Sequence, residues 1–214
     1  MIDVKLCGNH SLEDLKYSFL SGVRYIGIVF AAESKRTVEP VECGNWLSQL
    51  EKHHYQQIVG VFVNPKEEEI LDVLKYVPLQ VLQFHGNETP QYIQKIKEIT
   101  RLTVWKAIHH EQVTGLATMR EFRGVVDGYV IDSKVKGEWG GTGQCFDWKA
   151  IPQYVEEGKR QGVPCLIAGG ITADNVEKVV AYCPDGVDLA SGIETEGHKD
   201  KNKITVLLER LKAK

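Results

Sequence analysis

Three side chains able to move protons stand at the ends of short apolar runs, each directly before glycine or serine: Cys7-Gly8, His85-Gly86 and Asp132-Ser133. A cysteine thiolate is a nucleophile or base, an imidazole a base or hydrogen-bond donor, and a carboxyl group an acid or base. Each also has a purely structural reading: a small buried thiol, a capped turn, a cap on the next segment. Anion-binding elements accompany them. Arg36 shares a short loop with Lys35, where its guanidinium fork could meet a carboxylate or phosphate. Gly169-Gly170, Ser191-Gly192 and the loop containing Gly141, Thr142 and Gly143 are turns whose backbone N–H groups can approach a phosphate closely. His53-His54 and His109-His110 have no carboxylate at metal-site spacing and are read as non-ligands. There is no H-E-x-x-H, Walker loop or G-x-S-x-G.

These residues share a position: each follows a short apolar run. Eight runs of strand length recur, VKLCG (4–8), YIGIVF (25–30), IVGVFV (58–63), VLQFHG (81–86), TVWKAI (103–108), GYVIDS (128–133), CLIAGG (165–170) and VDLASG (187–192). Helical patterns separate them. Ser11 opens one that stops at Gly22; VECGNWLSQLEK is another; 66–77 places Ile70, Leu71, Leu74 and Val77 on one face; Pro90 begins a fourth. The segment 110–122 is the weakest, diluted by Gly115 and β-branched residues. Three more helical patterns follow the last strands. Eight alternations of strand and helix imply parallel strands joined by crossover helices. The first turn reads CGNHSLED, not the dinucleotide fingerprint, and nothing marks a domain boundary. The expected fold is α/β, a single (β/α)8 TIM barrel of eight parallel strands spanning 1–214. In such a barrel chemistry sits at the carboxyl ends of the strands. Within the strands, a lumen holding Asp3, Lys5, Lys106 and Asp188 would let these charges pair.

Composition sets the outer limits. The chain has 214 residues, 43% hydrophobic and 26% charged, with a net charge of −3. Disorder is excluded, and nothing electrostatic favours nucleic acid as partner. The odd number of cysteines, five, without C-x-x-C spacing, points to free thiols in a reducing compartment. The amino-terminal segment lacks an apolar signal core, and no apolar run is long enough to span a membrane, so a cytoplasmic location is expected. A monomer is the default, with no membrane partner.

The order of motifs resembles the phosphoribosylanthranilate isomerase family of tryptophan biosynthesis. The opening K-x-C-G, the SKR loop, the QFHG turn, the D…GGTG…FDW block, the IAGG turn and VDLASGIETEGHKD all take part. The resemblance covers nearly the whole chain. It implies the eight-stranded barrel, no metal, no organic cofactor, and an Amadori rearrangement of a phosphosugar–anthranilate substrate. It also implies roles: Cys7 as base, Asp132 as acid, Arg36 on the anthranilate carboxylate, and the glycine turns on the phosphate. His85 joins the substrate-binding residues. A free thiol of pKa about 8.5 is only a few per cent thiolate at neutral pH. Lys5, two residues back on the same strand face, would favour the thiolate.

The sequence departs from the family pattern at Asn9-His10, which puts Asn9 at the mouth in reach of a ligand. Lys35 stands for a proline and Ala190 for a serine. A histidine-pathway isomerase would show two half-barrel repeats and an aspartate where Cys7 stands. The synthase of the next step would need a strand-end lysine, and Lys106 lies too early. A non-catalytic phosphosugar-binding barrel could dispense with Cys7 or Asp132.

Overall fold

In the computed structural model, which describes residues 2–110, 114–133 and 147–212, the eight apolar runs form one closed sheet. The strands are β1 (Asp3–Leu6), β2 (Tyr25–Val29), β3 (Gln57–Phe62), β4 (Val81–Phe84), β5 (Thr103–His110), β6 (Gly128–Ser133), β7 (Cys165–Ile167) and β8 (Gly186–Leu189). All neighbours are parallel in sequence order, and β8 closes on β1 with Lys5 opposite Asp188. The helices α1 (Leu12–Leu20), α2 (Pro40–Leu47), α3 (Glu67–Tyr76), α4 (Pro90–Thr100), α5 (Gly115–Glu121), α6 (Ile151–Gln161), α7 (Val176–Val180) and α8 (Lys201–Lys212) pack outside.

The helix signals act as local chemistry requires. Ser11 Oγ accepts from the Asp14 N–H, and Thr89 Oγ1 from the Tyr92 N–H, so both satisfy orphan donors of a first turn. Pro40 and Pro90 open α2 and α4, where a missing N–H is harmless. The weakly patterned α5 has seven residues and α7 five. An antiparallel hairpin, β9 (Glu194–Thr195) and β10 (His198–Lys199), lies between β8 and α8. No apolar run announces it. Among the described residues no helix is long and apolar enough to cross a membrane.

Strand alternation builds two cores. One residue set faces the helices: Val4 and Leu6, Ile26 and Ile28, Leu82 and Phe84, Val104 and Ile108, Tyr129 and Ile131 all belong to the layer between sheet and helices. The opposite set fills the lumen, with Tyr25, Val59, Val81, Trp105, Val130 and Leu166 in contact. Trp105 and Tyr25 meet edge to face, their centroids 4.7 Å apart. This apolar plug floors the barrel and leaves only its upper end open.

Two of the four expected lumenal charges are lumenal. Lys5 is fully buried, and its ammonium donates to Asp188 Oδ2 at 2.8 Å. Asp3 instead pairs with Arg24 at 3.0 Å near the surface, because the lower rim is open to water. Lys106 points outward, sharing its face with Val104 and Ile108, both in the helix-facing layer. Its Nζ donates to the carbonyls of Phe84 and Gly86 and lies 3.2 Å from Glu88 Oε2. Burial holds the Lys106 pKa below the ordinary lysine range despite Glu88.

Glu88 also accepts from the backbone N–H groups of Asn64 and Gly86. One buried carboxylate thus ties the β3 and β4 loops together beneath His85. Glu88→Ala would leave the Lys106 ammonium without a counter-ion, held only by the two carbonyls, and two N–H groups without an acceptor. Its expected cost is about 3–5 kcal/mol, read as a lower urea midpoint. Adding Lys106→Met should recover only part, since the two N–H groups remain unsatisfied.

Candidate active site

The open end of the barrel is a cavity of about 550 Å³, within the range of small-molecule sites. Cys7, Arg36, His85, Asp132, Gly169, Gly170, Ser191 and Gly192 all line it. Gly141, Thr142 and Gly143 lie outside the described residues. Lumenal parity explains the convergence: Lys5 and Cys7, Gln83 and His85, and Val130 and Asp132 are alternate residues on the inner face of their strands.

Cys7 caps β1 at the level where Lys5 ends. The thiol needs room that only a glycine supplies: a Cβ on Gly27 of β2 would sit 2.8 Å from Cys7 Sγ and 3.1 Å from Lys5 Cε. Burial, reinforced by the Asp188 charge, pushes the Cys7 pKa upward, although Lys5 and Lys199 pull it down. The proximity of Lys5 expected from the sequence is real, but desolvation outweighs it, and the resting group is the thiol. Lys5 itself is raised: burial opposes its charge, and Asp188 and Cys7 more than compensate.

Across the mouth, Asp132 is held by a backbone hydrogen bond on one oxygen and approached by an imidazole on the other. Oδ1 accepts from the Ser133 N–H at 2.8 Å, and Oδ2 lies 3.3 Å from His85 Nε2, off the line of a hydrogen bond. The Gln83 amide nitrogen lies 3.3 Å from His85 Nδ1; with Nδ1 accepting, Nε2 carries the proton and faces Asp132. His109 follows Trp105 and Ala107 on the inner face of β5 and contacts His85, with ring centroids 5.2 Å apart. Burial and the neighbouring His85 bring the His109 pKa down to about 4, so it is neutral at physiological pH. Gly169 has φ +87, and a Cβ there would come within 3.0 Å of Asp132 Oδ1 and 2.6 Å of Ser133 Oγ. Only glycine lets the end of β7 close on Asp132.

Arg36 is the largest departure from the sequence reading. The guanidinium fork expected to meet an anionic ligand is already engaged: Nε and Nη2 donate to the two carboxylate oxygens of Glu194 at 2.9 and 2.6 Å. The stem lies against Gly8, where a Cβ would overlap Arg36 Cδ. What remains for a ligand is the edge formed by Nη1 and Nη2. Glu194 also accepts from the buried Lys199 ammonium at 2.5 Å. The hydrogen bonds that Arg36 donates to Glu194 raise the Arg36 pKa. The Glu194 pKa is lowered because Arg36 and Lys199 outweigh its burial, and burial lowers Lys199. Two cations therefore share one carboxylate, leaving a net positive charge beside the cavity.

The remaining walls are of two kinds. Val29, Ala31 and Val61 form an apolar cluster with Cys7 and Val63 on the β2–β3 side. On the β7–β8 side the backbones of the two glycine turns touch, since a Cβ on Gly192 would overlap the Ile171 carbonyl. Asn9 is fully buried: its amide donates to Leu6 O and Gly27 O and accepts from Ser18 Oγ. It braces the first turn and does not reach the cavity. Glu194, Lys199 and Gln83 were not among the residues singled out from sequence, and His109 was weighed there only as a metal ligand. The inner-face parity of β5 could have found His109. Glu194 and Arg36 are 158 positions apart, and no local pattern joins them.

Comparison with known proteins agrees with this geometry. The family described as N-(5'-phosphoribosyl)anthranilate (PRA) isomerase matches residues 4–210. The N-(5'-phosphoribosyl)anthranilate isomerase of Geobacillus thermodenitrificans is 52% identical over 99% of this chain and 95% of its own length. The crystal structure of phosphoribosyl anthranilate isomerase from Thermotoga maritima superposes with a TM-score of 0.86 at 31% identity, all of both chains covered. A crystal structure of the isomerase in complex with reduced 1-(o-carboxyphenylamino)-1-deoxyribulose 5-phosphate has a TM-score of 0.83 at 30% identity, again over the whole of both chains. The chain whose cavity is described above belongs to the N-(5'-phosphoribosyl)anthranilate isomerase family.

Proposed function

We propose that Cys7 and Asp132 carry out the Amadori rearrangement of N-(5-phosphoribosyl)anthranilate, with the substrate lying across the end of β1. The polarity of the cavity carries this reading. Arg36 and an apolar wall stand on the β2–β3 side, backbone turns on the β7–β8 side, and a thiol and a carboxyl group between them. A benzoate ring suits the apolar wall, with its carboxylate on the Nη1–Nη2 edge of Arg36. A phosphate suits the N–H groups of the glycine turns.

Chemistry follows from this placement. Asp132 delivers a proton to the ring oxygen as the C1–O bond breaks and the nitrogen lone pair forms the iminium. Cys7, a thiol at rest, first loses its proton to solvent with the Lys5 charge beside it. The thiolate then takes the C2 proton, giving the enolamine, which tautomerises to the aminoketose, and exchange with solvent reprotonates Asp132 for the next turnover. His85 Nε2–H faces Asp132 and orients the acid. Lys5 lies where its charge stabilises the thiolate as it forms. Glu194 acts through Arg36: it fixes the guanidinium plane and turns the Nη edge to the ligand.

The test follows decay of substrate fluorescence with the purified chain. Wild type should consume the substrate. Cys7→Ala and Asp132→Asn should each lower kcat by about 10²–10⁴ with the barrel intact by circular dichroism; near-normal turnover in either would sink that assignment. Arg36→Ala removes a charged hydrogen-bonding partner of the substrate. A loss of about 1.5–3 kcal/mol corresponds to a KM raised by about one to two orders of magnitude.

Glu194→Gln keeps the shape and removes the charge. It should raise KM by about tenfold with kcat close to wild type; a fall in kcat alone would place Glu194 in another role.

The elevated Cys7 pKa has its own readout. Iodoacetamide should alkylate Cys7 slowly at neutral pH, with the rate climbing only above the ordinary thiol range, because thiolate fraction rises with pH. Lys5→Met removes a cation that lowers this pKa and should move the profile further alkaline. A profile unchanged by Lys5→Met would show that Lys5 has no electrostatic hold on the thiol.

A further inference from the structure

His10, Asp14 and His198 converge at the edge of the cavity, which His10 itself lines, and no step of the proposed reaction uses them. We infer that they form a binding site for a divalent transition-metal ion of the zinc class, joining the first βα turn to the β9–β10 hairpin. His10 Nδ1 lies 3.1 Å from Asp14 Oδ2, and His198 Nδ1 lies 3.8 Å from Asp14 Oδ1. One donor atom from each residue falls within 4.8 Å of the other two. Tetrahedral zinc with ligand bonds of about 2.0–2.1 Å sets its donors about 3.3 Å apart. The donors therefore need to close by about 1.5 Å at most.

The parts that must stay fixed are fixed, and the part that must move is free. Asp14 is almost fully buried on α1, and its two oxygens accept from the backbone N–H groups of Lys199 and His10. That clamps the carboxylate between the two imidazoles and leaves it further lone pairs. The rings of His10 and His198 stack, 4.8 Å between centroids and 18° from parallel. The His198 side chain is 62% exposed and can swing inward. Two imidazoles and one carboxylate are the donor set of zinc, cobalt, nickel and copper rather than of calcium or magnesium. Gly8 O, 3.2 Å from His10 Nδ1, stands where a further oxygen donor is in reach.

The location gives the ion a consequence. His198 and Lys199 sit on β10, and Lys199 and Glu194 pair across the hairpin. An ion held by His10, Asp14 and His198 would pin this hairpin, and with it the carboxylate that orients Arg36, to the turn that follows Cys7.

The experiment titrates Zn²⁺ into the EDTA-treated, dialysed whole chain by calorimetry, with His198→Ala and His10→Ala alongside and Cys7→Ser as control. One ion per chain is expected in wild type and in Cys7→Ser, with Kd raised at least about tenfold in both histidine variants. Zn²⁺ should also raise the Tm of wild type and not that of His198→Ala. Substituting Co²⁺ should give a spectrum lacking thiolate charge transfer. Absence of saturable binding would overturn the site. So would affinity unchanged in His198→Ala, or binding abolished by Cys7→Ser, which would put the ion on the thiol.

Discussion

A fully buried ammonium at the seam of the barrel governs much of what this chain can do. Lys5 pairs with Asp188 where the last strand closes on the first. In a lumen otherwise filled with Tyr25, Val59, Trp105 and Leu166, an unpaired charge would cost several kcal/mol, so closure in this register and neutralisation of Lys5 are one event. The same ammonium lies beneath Cys7. It cannot overcome the desolvation that keeps the thiol protonated at rest, but it stands beside the sulfur when negative charge develops there. A device that closes the sheet thereby sets the electrostatics of the proposed base.

The other charges divide the labour in the same way. Glu88 neutralises Lys106 outside the sheet and takes two loop N–H groups, which positions the turn bearing His85. Glu194 neutralises Arg36 and Lys199 together. Each of these two carboxylates answers for more than one partner, and each sits directly behind a residue of the cavity. Rigidity of the site therefore comes from ion pairs behind it, while the ligand-facing groups keep free edges: Nη1 and Nη2 on Arg36, the thiol on Cys7. This is the arrangement expected when positional precision has to coexist with exposure to substrate.

The fold was legible because every strand announces itself by β-branched and aromatic runs, and most crossovers by a cap, a proline or an amphipathic face; α5 is the weakly marked exception. Position at a strand end then located Cys7, His85 and Asp132 with no knowledge of contacts. Parity was legible too, and where it was applied strictly it was right: Lys106 shares a face with Val104 and Ile108, and that face is the helix-facing one. Placing Lys106 in the lumen followed from the wish to pair charges, and its actual partner is Glu88, 18 residues upstream in a loop. Asn9 was misplaced because a polar residue after a strand end reads as ligand-facing. Its amide is instead consumed by two carbonyls and a hydroxyl of the turn that it braces. Glu194 was invisible for a different reason: an acid in a short hairpin that also holds Glu196 has no periodicity to single it out, and its meaning lies in Arg36 at the far end of the chain.

That hairpin shows where sequence reading and structure differ most in kind. It contributes no strand to the barrel and almost nothing to the apolar core, since Ile193 just before it is what anchors the segment. Yet it holds the carboxylate that orients Arg36, a buried lysine beside the cavity, and one imidazole of the His10–Asp14–His198 cluster. Its backbone is tied to α1 through the bond from the Lys199 N–H to Asp14, so the first and last loops of the barrel are joined into one piece. The substrate reading places the anthranilate carboxylate against this piece and the phosphate against the neighbouring turns after β7 and β8. Binding at either end therefore bears on the same few residues around Cys7, and the geometry of the proton transfer is set where the two ends of the chain meet.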